Sequence, residues 1–200
     1  MRLEGLRGRP RRRVRATTVA DPRATATNLL RRAFAVARPN RVWAADMTAL
    51  STREGWLYLA VVLDLCSRRI IGWAVRPSLE TELVCAALEL AIATRPIAPG
   101  AIHHSDRGAQ YTSDRYQRLL RHAGLQCSMS RPGSCYDNAP VESFFHTLKN
   151  EIGETTWVSR RAATQALADY IDRFYNNERL HSALNYSSPA HFESGLEQAV

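Results

Sequence analysis

Lysine is almost missing from this 200-residue chain: Lys149 is the only one, and every other basic residue is arginine. A chain that writes its positive charge as arginine and keeps one lysine marks that position as one where a compact ammonium counts. Long apolar runs are missing too. No window of about eighteen uninterrupted apolar residues exists, which excludes a transmembrane helix. The N-terminus carries charge but no apolar stretch, which excludes a secretory signal, and the two absences together point to the cytoplasm. Cysteine is sparse and irregular: Cys66, Cys85, Cys127 and Cys135 form no Cys-x-x-Cys. The spacing speaks against a zinc site, and a disulfide framework does not suit a chain of this length. Reduced, mostly buried thiols are expected. There is no internal repeat.

The charge that is present is unevenly placed. Residues 1–41 hold twelve arginines against Glu4 and Asp21, a net +10, while the remainder holds fifteen basic and seventeen acidic residues, a net −2. The chain reads as a basic arm attached to a nearly neutral domain. Such an arm, with Arg11, Arg12 and Arg13 at its centre, attracts nucleic acid through counterion release. A solubilising tail is the plain alternative. Met1–Arg15 has too few apolar residues to fold alone, and Thr17–Asn28 reads as a polar linker.

The rest reads as alternating strands and helices. Asn28–Val36 has the spacing of a short helix. Val42–Thr48 reads as a strand with Val42, Ala44, Asp46 and Thr48 on one face. Trp56–Asp64 and Arg69–Val75 complete an antiparallel meander, with Asp64 supporting the second turn. Leu79–Thr94 is a helix with Leu79, Leu83, Ala86, Ala87 and Leu90 inward. Ala101–His104 is a fourth strand, Ser113–Ala123 a helix stopped by Gly124, and Leu125–Ser130 a fifth strand. Arg131–Asp137 is a loop of breakers, flexible enough to gate a site. A helix then starts at Asn138, a good N-cap, with Val141, Phe144, Phe145, Leu148 and Ile152 along one side. Arg160–Tyr175 reads as a last long helix and Asn176–Phe192 as an irregular tail.

Three acids stand out. Asp46 sits mid-strand among apolar neighbours, where a carboxylate is poor strand chemistry. Asp106 follows the tip of the fourth strand, where α/β sheets present their chemistry. Glu142 lies in the first turn of its helix, sharing an edge with His146 and Lys149 at i, i+4 and i+7. For that edge a solvated face is the plain reading; for Asp46, a bond to a neighbouring loop. Three hard oxygen donors from separate elements, on a chain with a basic arm, point instead to Mg²⁺ or Mn²⁺, because converging carboxylates repel unless a cation neutralises them. A pair of such ions about 3.5–4 Å apart serves in-line phosphoryl displacement.

The sequence resembles the integrase-type catalytic core of bacterial insertion-element transposases, the IS-three group, and more distantly retroviral integrases. The matching pieces are Asn40–Thr48, Trp56–Asp64, His103–Tyr111, Ser128–Arg131, Asp137–Lys149, Tyr175-Asn176, His181–Leu184 and Ser188-Pro189. Thirty-five residues separate Asp106 from Glu142, as in that family's acidic triad. The resemblance implies a ribonuclease H-like α/β fold, a five-stranded mixed sheet flanked by helices, in which three antiparallel strands precede two parallel ones. It implies Asp46, Asp106 and Glu142 as catalytic residues and ligands of two Mg²⁺ or Mn²⁺ ions, and DNA cleavage and strand transfer without a covalent enzyme–DNA intermediate. Lys149, His146, Asn138 and Arg107 join Arg11–Arg13 as expected DNA contacts; His103, His104, Tyr136, Arg179 and His181 are weaker ones. The implied organisation is an arm over 1–40, the trailing end of a helix-turn-helix region; a catalytic core over 41–155; and a helix and tail over 156–200 packing on it. Expected partners are DNA, further copies of the chain assembled on DNA, and a separate helix-turn-helix protein, in a bacterial nucleoid setting. A DNA-binding remnant without catalysis and a ribonuclease H-type nuclease stay open as alternatives.

Overall fold

A computed structural model describes residues 26–153 and 156–198. The apolar run over the second strand dictates its place at the heart of a sheet. β2 (Gly55–Asp64) is buried along nearly its whole length and pairs antiparallel with β1 (Val42–Thr52) and β3 (Ile70–Arg76). β4 (Ile102–Ser105) then pairs parallel with β1, and β5 (Gln126–Met129) parallel with β4. The order is β3-β2-β1-β4-β5, the mixed sheet expected.

Helices cover both faces, because each strand alternates its side chains between two cores. Trp43 and Ala45 face the core formed with α1 (Thr81–Thr94) and α3 (Asp114–His122). Ala44 and Leu50 face the core formed with α4 (Ala139–Glu151) and α5 (Arg160–Ala168). The apolar side of α4 is the expected one: Val141, Phe144, Phe145 and Leu148 are buried, with Ile152 packed beside them. Numbering the helices in chain order, the four-residue turn Ala109–Thr112 is α2 and Pro189–Gln198 is α6. Among the described residues no helix is long and apolar enough to cross a membrane. Cys66, Cys85 and Cys127 are free thiols.

Four local expectations fail. Asn28–Val36 forms turns, not a helix, with Arg31 and Arg32 at positive φ. The Asn28 side chain accepts the Arg31 N–H at 2.8 Å, and Leu30 is pulled into the core. In α1, Leu90 is 41% exposed while Leu88 and Ala91 are buried. The last helix keeps α geometry only to Ala168 and then winds as a π-helix over Asp169–Glu178, closed by the Arg179 N–H on the Phe174 carbonyl. The tail is not irregular throughout: α6 forms there, held by buried Glu193, which accepts from Ser67 Oγ and pairs with Arg69 and Arg95 at 2.7 Å each.

α1 lies unusually close to β3 because Gly72 has no side chain. A Cβ there would meet the Ala87 carbonyl oxygen at 2.2 Å and the Ala91 nitrogen at 2.8 Å, both backbone atoms that cannot swing aside. Gly72→Ala is expected to destabilise the chain by about 3 kcal/mol in urea unfolding, the upper end for an overpacked core. A loss below about 1 kcal/mol would show that α1 can move off the sheet.

Candidate functional site

The parallel pairing of β1 with β4 sets the site. Ala44 is opposite His104, so the same register two residues on brings Asp46 level with Asp106. Neighbouring strands lie about 4.8 Å apart. Asp106 itself follows the end of β4, where its Oδ1 accepts the Gly108 N–H at 2.8 Å. Asp46 Oδ1 accepts the Met47 N–H at 2.8 Å. Glu142 stands on the exposed side of the first turn of α4, which packs on the same face of β1.

The three charges are coupled. Burial, then the carboxylate of Asp106, pushes Asp46 up to about 7; Glu142 adds to the rise, and hydrogen bonds from the Met47 N–H and the Asn138 side chain oppose it. Burial also raises Asp106, against the Gly108 N–H. Coupling is not coordination, however. Among the described residues no group of three or more His, Cys, Asp or Glu is gathered to hold a metal ion.

Asn138 does not cap α4 with its side chain. It is 4% exposed and turned inward, its Nδ2 donating to the Ala45 carbonyl at 3.1 Å. That position, beside Asp46, fits a positioning role and not the DNA contact expected of it. Three buried oxygens near the acids have no hydrogen-bond partner: Gln110 Oε1, Tyr111 Oη and Asn138 Oδ1. The Tyr111 phenol feels both Asp46 and Asp106, and burial raises it far above its usual value. A Cβ on Gly108 would meet Asp106 Oδ1 and Gln110 Oε1 at 3.1 and 3.3 Å, so Gln110 borders the same carboxylate. This donor set is all oxygen, and orphaned buried oxygens are what a hydrated hard cation satisfies. It fits Mg²⁺ or Mn²⁺.

The other expected residues divide. His146 is exposed, bonded to the Asn150 side chain at 2.9 Å, and Lys149 is half-buried one turn further on. Arg107 serves the frame, donating to the Ser130 carbonyl at 2.8 Å and the Ala26 carbonyl at 3.5 Å. His103 and His104 are buried, so they are not open to DNA; burial lowers them to about 3 and about 4, which keeps both neutral. Tyr136 is exposed beneath the Arg32 guanidinium. Arg179 grips Glu151, and His181 packs edge-on against Tyr175. Arg11, Arg12 and Arg13 lie outside the described residues. Sequence reasoning missed Asp137, whose buried carboxylate binds Asn28, Arg32 and Arg131 and so fixes the loop that carries Asn138. It also passed over Gln110 and Tyr111, although both stand in a quoted motif.

Residues 36–135 match the family model described as Integrase core domain, and residues 123–189 match a second model of the same description. The chain is 47% identical over 167 residues to the transposase for insertion sequence element IS904 of Lactococcus lactis subsp. lactis (strain IL1403), covering 83% of this chain and 66% of that protein. It is 43% identical over 196 residues to transposase InsF for insertion sequence IS3A of Escherichia coli (strain K12), covering 97% of this chain and 68% of that one. The chain thus spans about two thirds of the length of these relatives. Among solved structures, the HTLV-2 integrase catalytic core domain in complex with magnesium (trimeric form) superposes with a TM-score of 0.56 at 14% identity, over 78% of this chain and 97% of that one. At that identity the likeness speaks for the fold, which is ribonuclease H-like. With matched models across most of its length and close insertion-element relatives, the chain belongs to the integrase core domain family of transposases.

Proposed function

We propose that this chain is a DNA strand-transfer core that cuts and joins phosphodiester backbones with divalent metal. The observation that carries the reading is the field at Asp46, which feels both Asp106 and Glu142. Three carboxylates from three elements that repel one another favour a cation between them. Asp46, Asp106 and Glu142 would hold it. A pair of Mg²⁺ or Mn²⁺ ions bound there would supply the Lewis acidity for in-line phosphoryl displacement.

The chain's own residues do the rest. The Met47 N–H and the Asn138 amide favour the ionised form of Asp46 against the burial that raises it. The Gly108 N–H does the same for Asp106. Lys149 and His146, on the Glu142 edge of α4, contact the DNA strand beside the cut. Arg11–Arg13 add salt-sensitive attraction to duplex. The substrates are element ends and target DNA, the working form is a homo-oligomer on DNA in the bacterial nucleoid, and a separate helix-turn-helix protein directs it to the ends.

Asp106→Asn is expected to lower Mg²⁺- or Mn²⁺-dependent nicking of plasmid DNA at least about 100-fold, since even groups behind a metal ligand cost 10–100-fold. Equal nicking by the variant would remove the acids from the mechanism, and salt-sensitive binding without cleavage in either metal would leave a DNA-binding module.

A second expectation concerns pH. Asp46 titrates near 7 when folded and near 3.8 when unfolded, so between these values the folded chain binds more protons. Stability conferred by Asp46 therefore falls as pH rises through that window, by on the order of 4 kcal/mol. His103 and His104 act in the opposite sense below about 6.5, so the comparison is between variants. Without metal, Asp46→Asn should lose less stability than the parent between about pH 5 and pH 8, and Mn²⁺ should raise the melting temperature of the parent alone. Identical pH slopes would show that Asp46 does not carry this strain.

A further inference from the structure

A second cleft lies on the next flank of α4. It has a volume of about 410 Å³, and its polar wall comprises Arg68, Ser143, Thr147, Arg179, His181 and Ser182 over an apolar floor of Phe144 and Tyr175. None of these residues belongs to the acidic site. On the helix, Glu142, His146 and Lys149 form one edge, while Ser143 and Thr147 stand about 100° round from Glu142 and His146, one residue on in each case.

The electrostatics of the cleft centre on Arg68. It sits in the β2–β3 turn with a φ of 60°, a conformation disfavoured for a side chain of this kind. Among the described residues its guanidinium makes one long hydrogen bond, Nη2 to the Phe34 carbonyl at 3.5 Å, and no ion pair. Burial pulls its guanidinium below the usual value. The nearby carboxylate, Asp64, is occupied by the N–H groups of Asn40, Cys66 and Ser67. Arg179 is offset by Glu151. His181 adds a buried Nε2 with no partner, on a ring that burial keeps neutral by lowering it to about 4. The cleft thus holds a half-buried cation whose guanidinium has no direct carboxylate contact, an orphaned ring nitrogen and three hydroxyls. A desolvated charge that is only partly offset is costly, and an anion with several acceptor oxygens lowers that cost.

We propose that this cleft seats a backbone phosphodiester of the DNA strand that crosses α4, with Arg68 as its counterion and Ser143, Thr147 and Ser182 as donors. The proposal rests on the strand-transfer reading for the identity of the anion. The dimensions agree with it. A helix with its side chains is about 10–12 Å across, and one DNA strand carries a phosphate every 3.4 Å of axis. A strand whose scissile phosphate meets Glu142 therefore has another phosphate, about two or three further on, at the second flank about 100° round.

The test measures binding of the full chain to a labelled duplex by fluorescence anisotropy, without divalent metal, across salt concentrations from about 50 to 200 mM. One phosphate contact contributes about 0.9 to the salt slope, so Arg68→Ala should flatten the slope by that amount and weaken binding about eightfold at 0.1 M salt. Arg68→Lys should keep the slope of the parent. Ser182→Glu places a carboxylate in the cleft and should flatten the slope alone, but add nothing to Arg68→Ala, because both act on one phosphate. An unchanged slope in Arg68→Ala, or additive effects in the double variant, overturns the proposal. If Arg68→Ala fails to fold by circular dichroism, the same cycle is run from Arg68→Gln. Displacement of the duplex by polyglutamate as readily as by unlabelled DNA would make the occupant an acidic peptide and also overturn it. A flattened slope in a chain that never nicks DNA would sink the strand-transfer reading and keep this site.

Discussion

The interaction on which the molecule turns is the repulsion among its own acids. A carboxylate in the middle of a strand, beside a second just past the end of the neighbouring parallel strand, is unfavourable in any fold without a compensating charge. The chain meets this with oriented N–H donors: Met47 and Asn138 on Asp46, and Gly108 on Asp106. These bonds favour the ionised forms, yet both carboxyls remain raised. Folding therefore supplies part of the compensation and leaves part to whatever binds.

The frame around the acids is correspondingly firm. The loop between β5 and α4, expected to flex, is tied down by Asp137, whose side chain is 0% exposed. Hydrogen bonds from Arg131 hold it far below the usual carboxylate range, with Arg32 adding to the effect. Each pair with a half-exposed arginine is worth little by itself. Five donor contacts converging on one carboxylate are a different matter, because breaking any of them strands a buried charge. The residue that follows is Asn138, and Glu142 comes one turn later. The segment 26–32, which joins the basic arm to the core, supplies two of those partners, Asn28 and Arg32. That segment and the loop leading to α4 are thus tied together through the Asp137 carboxylate.

How much of this could be read from the chain depended on the range of the interaction. The buried strand Gly55–Asp64 and the apolar side of α4 are periodic, so local pattern located them. Asp46, Asp106 and Glu142 stood out because each violates a local rule or sits where chemistry is presented. The register that brings Asp46 level with Asp106 is a pairing between residues some sixty apart, and no local signal encodes it. Asn138 shows the opposite hazard. Its side chain was read as a cap because Asn is favoured there, and the bond to Ala45 prevailed because β1 offers a buried carbonyl that needs a donor. α6 escaped notice for a similar reason. What holds it is Glu193, clamped between Arg69 and Arg95, an arrangement that exists only after folding.

The π-helical stretch ties these threads together. An α-helix from Arg160 onward would carry Asn176 on a different bearing, since each π turn takes up an extra residue. In the wider winding the Asn176 amide reaches β3 and makes two bonds with Ile70, accepting from its N–H at 2.9 Å and donating to its carbonyl at 3.0 Å. That is the pattern a further strand would supply, and it closes part of an edge otherwise open to another chain. The same winding turns Tyr175 into the core against Phe144 of α4. The chain then leaves through Arg179 and His181 along the outer flank of that helix. A longer regular helix would gain backbone regularity and lose both the sealed edge and the second cleft, which is why the irregular winding belongs to the working surface of the molecule and is more than a flaw in a helix.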